Sequence, residues 1–291
     1  FRSMKLALGT VQFGMDYGIA NQQGRIKLND TREILQSAFI HGINTLDTAI
    51  AYGNSEQRLG DIGVDDWQII SKLPSIPDTC INITDWVMES VTASLRRLNA
   101  KKLRGLLLHR PMQLLDENGL ELYKAMKLIK TMGLAEKIGV SLYELIELDL
   151  LWPHIKFDIV QIPFNILDRR MVTTGWLKKL NQADVEIHVR SIFLQGLMLM
   201  KPEARPPYFQ RWQSLWQLWD NWLIDENLQP AEACLRYAMS FPEITKVIIG
   251  VDNLSQLNEL ISIVDNREFS PPADFMSEDP DLVNPSRWQV E

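Results

Sequence analysis

Leu46-Asp-Thr-Ala-Ile-Ala-Tyr-Gly-Asn-Ser-Glu56 closes an apolar run and opens a polar loop, with Asp47 and Tyr52 five residues apart. The run that ends here, INTLDTA, reads as a short buried strand, so Asp47 falls at a strand end and Tyr52 in the loop beyond. The pattern recurs along the chain. WQIISKL brings Lys72 to the end of the next apolar run, and LRGLLLHR brings His109 to the end of the one after. An acid, a phenol, an amine and an imidazole thus appear where successive strands run out. In a parallel barrel those ends converge on one face, the face that carries active sites.

The rest of the chain continues the alternation. KLALGTV, KIGVSL, DIVQIPF, VEIHVRSIF and ITKVIIGV complete a set of eight candidate strands. Amphipathic stretches lie between them: TREILQSAFIHG with Gly42 in C-cap position, TDWVMESVTASLRRLN from an N-cap at Thr84, and GLELYKAMKLIKTMG closing on Gly133. Strand, helix, strand, repeated, implies parallel pairing with right-handed crossovers. The expected fold is α/β, a (β/α)8 TIM barrel spanning 1–291 as one domain, which a barrel's typical ~250 residues accommodates.

Composition narrows the function. Apolar residues at 46% suffice for a large core, and a formal charge of -7 argues against general nucleic-acid affinity. No run approaches the ~20 apolar residues that span a bilayer. The start, FRSMKLALG, lacks a long apolar signal region; Met4 reads as the initiator and residues 1–3 as vector-derived. Cys80 and Cys234 match no metal or redox spacing, which suits a reducing cytoplasm. Of the four histidines, His41, His154 and His188 read as structural or surface residues, and no HxH or HExxH occurs, so no metal is expected.

Two segments exceed a minimal barrel. Leu197 to Leu228 carries Trp212, Trp216 and Trp219 at helical spacing, the signature of an aromatic stripe packed on the barrel. Tyr208 and Trp212, nearest the seventh strand's loop, are candidates for a substrate pocket, as are Phe13 and Tyr17 in the Gln12 to Gln22 loop. The Pro- and Asp-rich tail, 267–291, is expected over or beside the barrel mouth.

The four strand-end residues describe a chemistry. A phenol, with a pKa of ~10, is a poor acid at neutral pH, and an adjacent ammonium lowers that value. Asp47 can hold Lys72 and balance its charge, and His109 can orient a substrate oxygen. Together they would donate a proton to a carbonyl oxygen while hydride reaches its carbon. Taken singly, each has a structural explanation: a cap, packing, an ion pair, a core histidine. Four in register are harder to dismiss.

This constellation, in this order, resembles the aldo-keto reductase family over nearly the whole chain. The resemblance implies an NAD(P)H-dependent reduction of a small aldehyde or ketone, with Tyr52 as proton donor. It extends to GVSLY, where Ser141 would contact the nicotinamide carboxamide, although Leu142 stands in a place usually taken by asparagine. In DIVQIPFNILDRR, Gln161 would hold the same carboxamide and Asn165 would be structural. VRSIFLQG is similar to the seventh-strand loop that grips the pyrophosphate, implicating Ser191, Phe193, Gln195 and Gly196. Arg190 stands where an aromatic ring normally stacks on nicotinamide; its planar guanidinium can stack likewise, or pair with a substrate carboxylate or phosphate. Thr10, after the first strand, joins the cofactor set.

No GxGxxG follows any strand, so a doubly wound dinucleotide site is unsupported. In VIIGVDNLSQLNELI the resemblance assigns Gly250, Asp252, Gln256 and Glu259 to the cofactor, Glu259 at the adenine. NADP is the family habit, yet this segment has no basic side chain for a 2′-phosphate, and Asp252 suits the 2′-hydroxyl of NAD. The tail and the VRSIFLQG segment also resemble bacterial members that act on surface sugars, which suggests a sugar-derived carbonyl. The competing readings are a nicotinamide-sensing protein with little turnover and a different barrel enzyme.

Overall fold

Each of the eight apolar runs contains one strand: β1 Leu6–Gly9, β2 Thr45–Asp47, β3 Gln68–Leu73, β4 Leu103–Leu108, β5 Ala135–Ser141, β6 Ile159–Pro163, β7 Glu186–Arg190 and β8 Lys246–Ile249. All pair in parallel with their neighbours in sequence, and β8 returns to β1, so the sheet is a closed barrel in chain order. The computed structural model describes residues 4–19, 24–265 and 267–290. The segment read as vector-derived, 1–3, and the far end of the Gln12 to Gln22 loop lie outside the described residues.

Register and the two-residue period of a strand decide what faces the barrel interior. Gly9 pairs with Asp47, Asp47 with Ile70 and Ile70 with Gly105. Further round, Gly139 pairs with Ile159 and Ile159 with Glu186. These residues share the inner face, and alternation carries it upward to Lys72, His109, Ser141, Gln161 and Arg190. Ile70, Leu107 and Ile159 form a small buried cluster of their own, apart from the main core between sheet and helices. It fills the barrel: a Cβ on Gly105 would meet Ile159 Cδ1 at 2.7 Å and Ile70 Cδ1 at 2.8 Å. The polar residues one step further along each strand therefore stand on an apolar floor.

The surrounding helices follow the sequence pattern with one correction. The helix expected to start from Thr84 runs Ile83–Leu98, and its cap is Asn82, whose side chain accepts from the Asp85 N–H at 2.9 Å. Asparagine satisfies the orphan donor two positions earlier, so Thr84 lies inside the first turn. Gly42 and Gly133 follow their helices with φ of 85° and 74°. The tryptophan-rich insertion forms a helix over Gln213–Asp225, with Trp216 and Trp219 fully buried. Among the described residues no helix is long and apolar enough to cross a membrane.

Candidate active site

Asp47, Tyr52, Lys72 and His109 come together at the C-terminal mouth of the barrel. Lys72 is wholly buried, and its Nζ donates to Asp47 Oδ2 at 2.8 Å and to the Thr48 carbonyl at 2.8 Å. The same ammonium lies 5.2 Å from the centroid of the Tyr52 ring. Tyr52 meets His109 edge to face, with centroids 5.8 Å apart. The second oxygen of Asp47 accepts from Gln161 Nε2 at 2.6 Å, and Gln161 Oε1 accepts from Ser141 Oγ at 3.3 Å. A continuous polar chain thus runs from Lys72 across the barrel to Ser141.

Close backbone packing sets the position of Tyr52. The loops after β1 and β2 cross at Gly14 and Gly53. A side chain on Gly14 would run into the Tyr52 carbonyl, and one on Gly53, at φ 55°, into the Gly14 carbonyl. Only glycine permits this approach. Ser55 ties the loops together by donating to the Thr10 carbonyl at 3.1 Å. The helix that follows, Ser55–Ile62, is anchored by buried Glu56, which accepts from Ser71 at 2.7 Å, Ser94 at 2.6 Å and Arg97 at 2.8 Å.

Burial dominates the ionisation of these groups. The Tyr52 phenol is pushed well above its usual range, first by burial and then by the Asp47 charge, with Arg190 opposing. This corrects the expectation that Lys72 would lower it: desolvation and the Asp47 carboxylate outweigh the ammonium's pull. The phenol accordingly keeps its proton. Burial also lowers Lys72, with Asp47 opposing. His109 falls to about 4, through burial and then the charges of Lys72 and Arg190, and so is neutral at pH 7.

These residues open into a cleft of about 660 Å³, within the range of small-molecule sites. Asp47, Tyr52 and His109 line it, together with Thr10, Ser141, Arg190, Ser191, Phe193, Gln195, Gly196, Gly250, Asp252, Gln256 and Glu259. Tyr17 also lines it. Besides Lys72, buried beneath the cleft, four expected residues stand elsewhere. Gln161 is fully buried beneath the cleft, both ends of its amide taken by Asp47 and Ser141. Phe13 is a core residue with no exposed surface. Tyr208 and Trp212 face the tail, donating to the Asp281 carbonyl at 2.9 Å and to Asp279 Oδ2 at 3.0 Å. They fix the segment that does reach the cleft, Val283 to Ser286.

Arg190 has no carboxylate partner among the described residues. Its Nη2 donates to the Leu142 carbonyl at 2.7 Å, and its guanidinium lies 5.0 Å from the centroid of Tyr143. Tyr143, which the sequence reading passed over, lines the cleft and stacks at 6.5 Å on His109. Its only sequence signal was its place just past the fifth strand. Asn165 is structural: its Oδ1 accepts from the N–H groups of Leu167 and Asp168, at 3.1 and 2.9 Å. The loop after β7 is strained, with Ser191, Leu194 and Gln195 at φ 59°, 47° and 52°. Such strain gathers at ligand sites, and successive inward N–H groups make anion-binding hollows. Gln12 Oε1, buried beside Gly250 on the cleft wall, has no hydrogen-bond partner among the described residues. His41 and His154 are exposed, His188 is buried, and neither Cys80 nor buried Cys234 is in a disulfide. Among the described residues no cluster of His, Cys, Asp and Glu could hold a metal ion.

Solved structures share this architecture. An aldo-keto reductase from Bacillus halodurans, in its holo form, superposes with a TM-score of 0.72 at 19% identity, over 93% of this chain and 89% of that one. A Pseudomonas aeruginosa protein assigned to the aldo-keto reductases superposes with a TM-score of 0.66 at 22% identity, over 90% and 89%. At such identities the likeness concerns the fold alone. No curated protein sequence matches the chain. The sequence model of the Aldo/keto reductase family, however, matches residues 5–273, from β1 to beyond β8, and so takes in every strand end described above: the chain belongs to the aldo/keto reductase family.

Proposed function

We propose that the protein is an NAD(P)H-dependent reductase that converts a small aldehyde or ketone to its alcohol, with Tyr52 as the proton donor. The observation that carries this reading is the placement of the Lys72–Asp47 pair, 2.8 Å apart, beneath a buried phenol on the wall of a large cleft. The cleft's residues fit a nicotinamide dinucleotide. Gln12 Oε1 is an unpaired buried acceptor, Gly250 leaves room where a side chain would collide with Gln12, and the strained loop after β7 suits a pyrophosphate. Ser141 would hold the carboxamide, Ser191, Gln195 and Gly196 the phosphates, and Asp252, Gln256 and Glu259 the adenosine end. When bound, the cofactor supplies hydride to the carbonyl carbon.

The chain's own residues do the rest. Neutral His109 offers one ring N–H to the carbonyl oxygen and orients it. Tyr52, protonated because burial holds its proton on, gives that proton to the oxygen as negative charge develops there. Lys72 stabilises the phenolate left behind, and Asp47 keeps the ammonium in place. The Ile70, Leu107 and Ile159 floor excludes water from below.

Cofactor choice follows from charge. Asp252 lines the adenosine end, and Arg267 is exposed and bound to Asp265, away from the cleft. We expect NADH to bind within about tenfold of NADPH, since no cation repays the 2′-phosphate. Fluorescence titration with both, read from the protein's tryptophans, tests this. Micromolar binding with turnover of a test aldehyde supports the reading. Binding without turnover favours a cofactor sensor, and no binding by folded protein removes both.

A further inference from the structure

Most arginines of this acidic protein hold a carboxylate. Arg97 pairs with Glu56, Arg104 with Glu186, Arg170 with Asp168, Arg205 with Asp220 and Arg236 with Glu232. Arg110 and Arg190 are among those with no carboxylate within 4 Å among the described residues, and both flank Tyr143, a residue of the cleft wall. The Arg110 guanidinium lies 4.6 Å from the Tyr143 ring centroid and that of Arg190 5.0 Å. Arg190 lines the cleft, and Arg110, next after His109, stands exposed just outside it, against the same Tyr143 ring. Nearby carboxylates are already engaged: Asp47 by Lys72 at 2.8 Å, and Glu144 by Asn284 at 2.9 Å and Arg287 at 4.0 Å. Around Tyr143, therefore, two guanidinium groups stand without a carboxylate within 4 Å among the described residues, in a chain of net charge -7.

Topology separates this charge from the expected cofactor track. The candidates for the phosphates and the adenosine end lie after β7 and β8, whereas Arg110 follows β4, which stands across the barrel from β8. Arg190 ends β7 but turns away from β8, reaching the Leu142 carbonyl and Tyr143 beyond β5. Among the described residues, two of its five N–H donors have partners, Leu142 at 2.7 Å and Ser191 Oγ at 3.4 Å. Two cations on one aromatic ring repel unless an anion joins them, and a guanidinium fork matches a carboxylate or a phosphate.

We propose that the cleft selects carbonyl compounds that carry their own anionic group, a carboxylate or a phosphate, with Arg190 and Arg110 as the specificity-determining cations; this rests on the reductase reading above. The shared chemistry is a small oxo-acid or phosphorylated aldehyde. Neutral aldehydes of the same length lose the charge-assisted contact, which corresponds to roughly ten- to a hundredfold in kcat/KM.

The test compares matched substrates at fixed cofactor: 4-oxobutanoate against butanal, and glyceraldehyde 3-phosphate against glyceraldehyde. The expected result is at least tenfold higher kcat/KM for the anionic member of one or both pairs, with the larger ratio telling carboxylate from phosphate. That ratio should fall as salt is raised, and fall about tenfold in Arg110→Gln, chiefly through KM. Arg190→Gln should lower it as well, and Arg190→Lys should restore part of it. Succinate should compete with 4-oxobutanoate in the parent and more weakly in Arg110→Gln. Ratios near one, with cofactor binding and butanal turnover intact, overturn the proposal and leave the reductase reading standing. So does a loss of cofactor affinity in Arg190→Gln with the substrate ratio unchanged, which would make Arg190 a cofactor contact. Absence of cofactor binding in the parent protein overturns the reductase reading and this one with it.

Discussion

The two ends of the barrel are built from similar residues and behave differently. At the C-terminal mouth, Asp47, Tyr52 and His109 line a cleft above buried Lys72, and Arg110 and Arg190 have no carboxylate within 4 Å among the described residues. At the opposite end, Glu186 gathers Arg104 and Lys137 at 2.6 Å each and His188 at 3.3 Å, so that one carboxylate serves three donors. Burial pushes the Glu186 carboxyl up, yet these partners outweigh it and bring it down to about 2. At one end the charges thus satisfy one another out of reach of the cleft, and at the other the Lys72–Asp47 pair lies directly beneath it. In barrel folds the first condition signals stability and the second signals chemistry.

The largest effect should come from Tyr52→Phe. Loss of the donated proton is expected to lower kcat by about a hundred- to ten-thousandfold, with NADPH affinity and melting temperature little changed. Turnover within tenfold of the parent would show that the mouth does not work this way. Lys72→Met should strike both function and stability, because it leaves Asp47 buried without its cation; we expect about 3–5 kcal/mol of destabilisation by denaturant titration. Glu186→Gln, at the other end, should cost about 2–4 kcal/mol, with activity per folded molecule unchanged. If it abolished turnover in folded protein, the division between the ends would fail.

Acid sharpens the contrast. His109 and His188 have folded pKa values lowered by burial, so the stability they allow is complete above about pH 6.5 and lost as pH falls, toward about 4 for His109. Glu186, lowered to about 2, adds stability that is present above its unfolded value near 4.5 and lost between there and about 2. Melting temperature should thus decline from near neutrality downward, and Glu186→Gln should flatten the Glu186 part below about pH 4.5 while lowering the folded pKa of His188 further, since Glu186 supports its charged form. The smallest effect belongs to Lys102→Met, whose partner Glu136 is exposed as well. That pair, 2.6 Å apart, should be worth less than about 0.5 kcal/mol.

How much was legible in the sequence follows from how each signal arises. The eight strands and the placement of Asp47, Lys72 and His109 at their ends came from hydrophobic periodicity, a local property that short apolar runs carry without reference to the rest of the chain. The family resemblance added the candidates along the cofactor track, and all of those except Gln161 lie on the cleft wall. The sequence could not tell that Tyr208 and Trp212 hold the tail, that Phe13 is core, or that Gln161 points beneath the cleft. Aromatic and amide side chains serve packing and pockets alike, and only their neighbours decide. The cap was read at Thr84 and lies at Asn82, because a helix start shifts by a turn's fraction on one hydrogen bond.

By itself, then, the chain determined an eight-stranded parallel barrel and brought an acid, a phenol, an amine and an imidazole to one end of it, because strand period and crossover handedness are local and few. Tertiary structure alone decided the ionisation of that set, the crossing of Gly14 and Gly53 that positions Tyr52, and the pair of unmatched arginines around Tyr143. Desolvation and charge balance depend on every group within several ångströms, and most of those groups are remote in sequence.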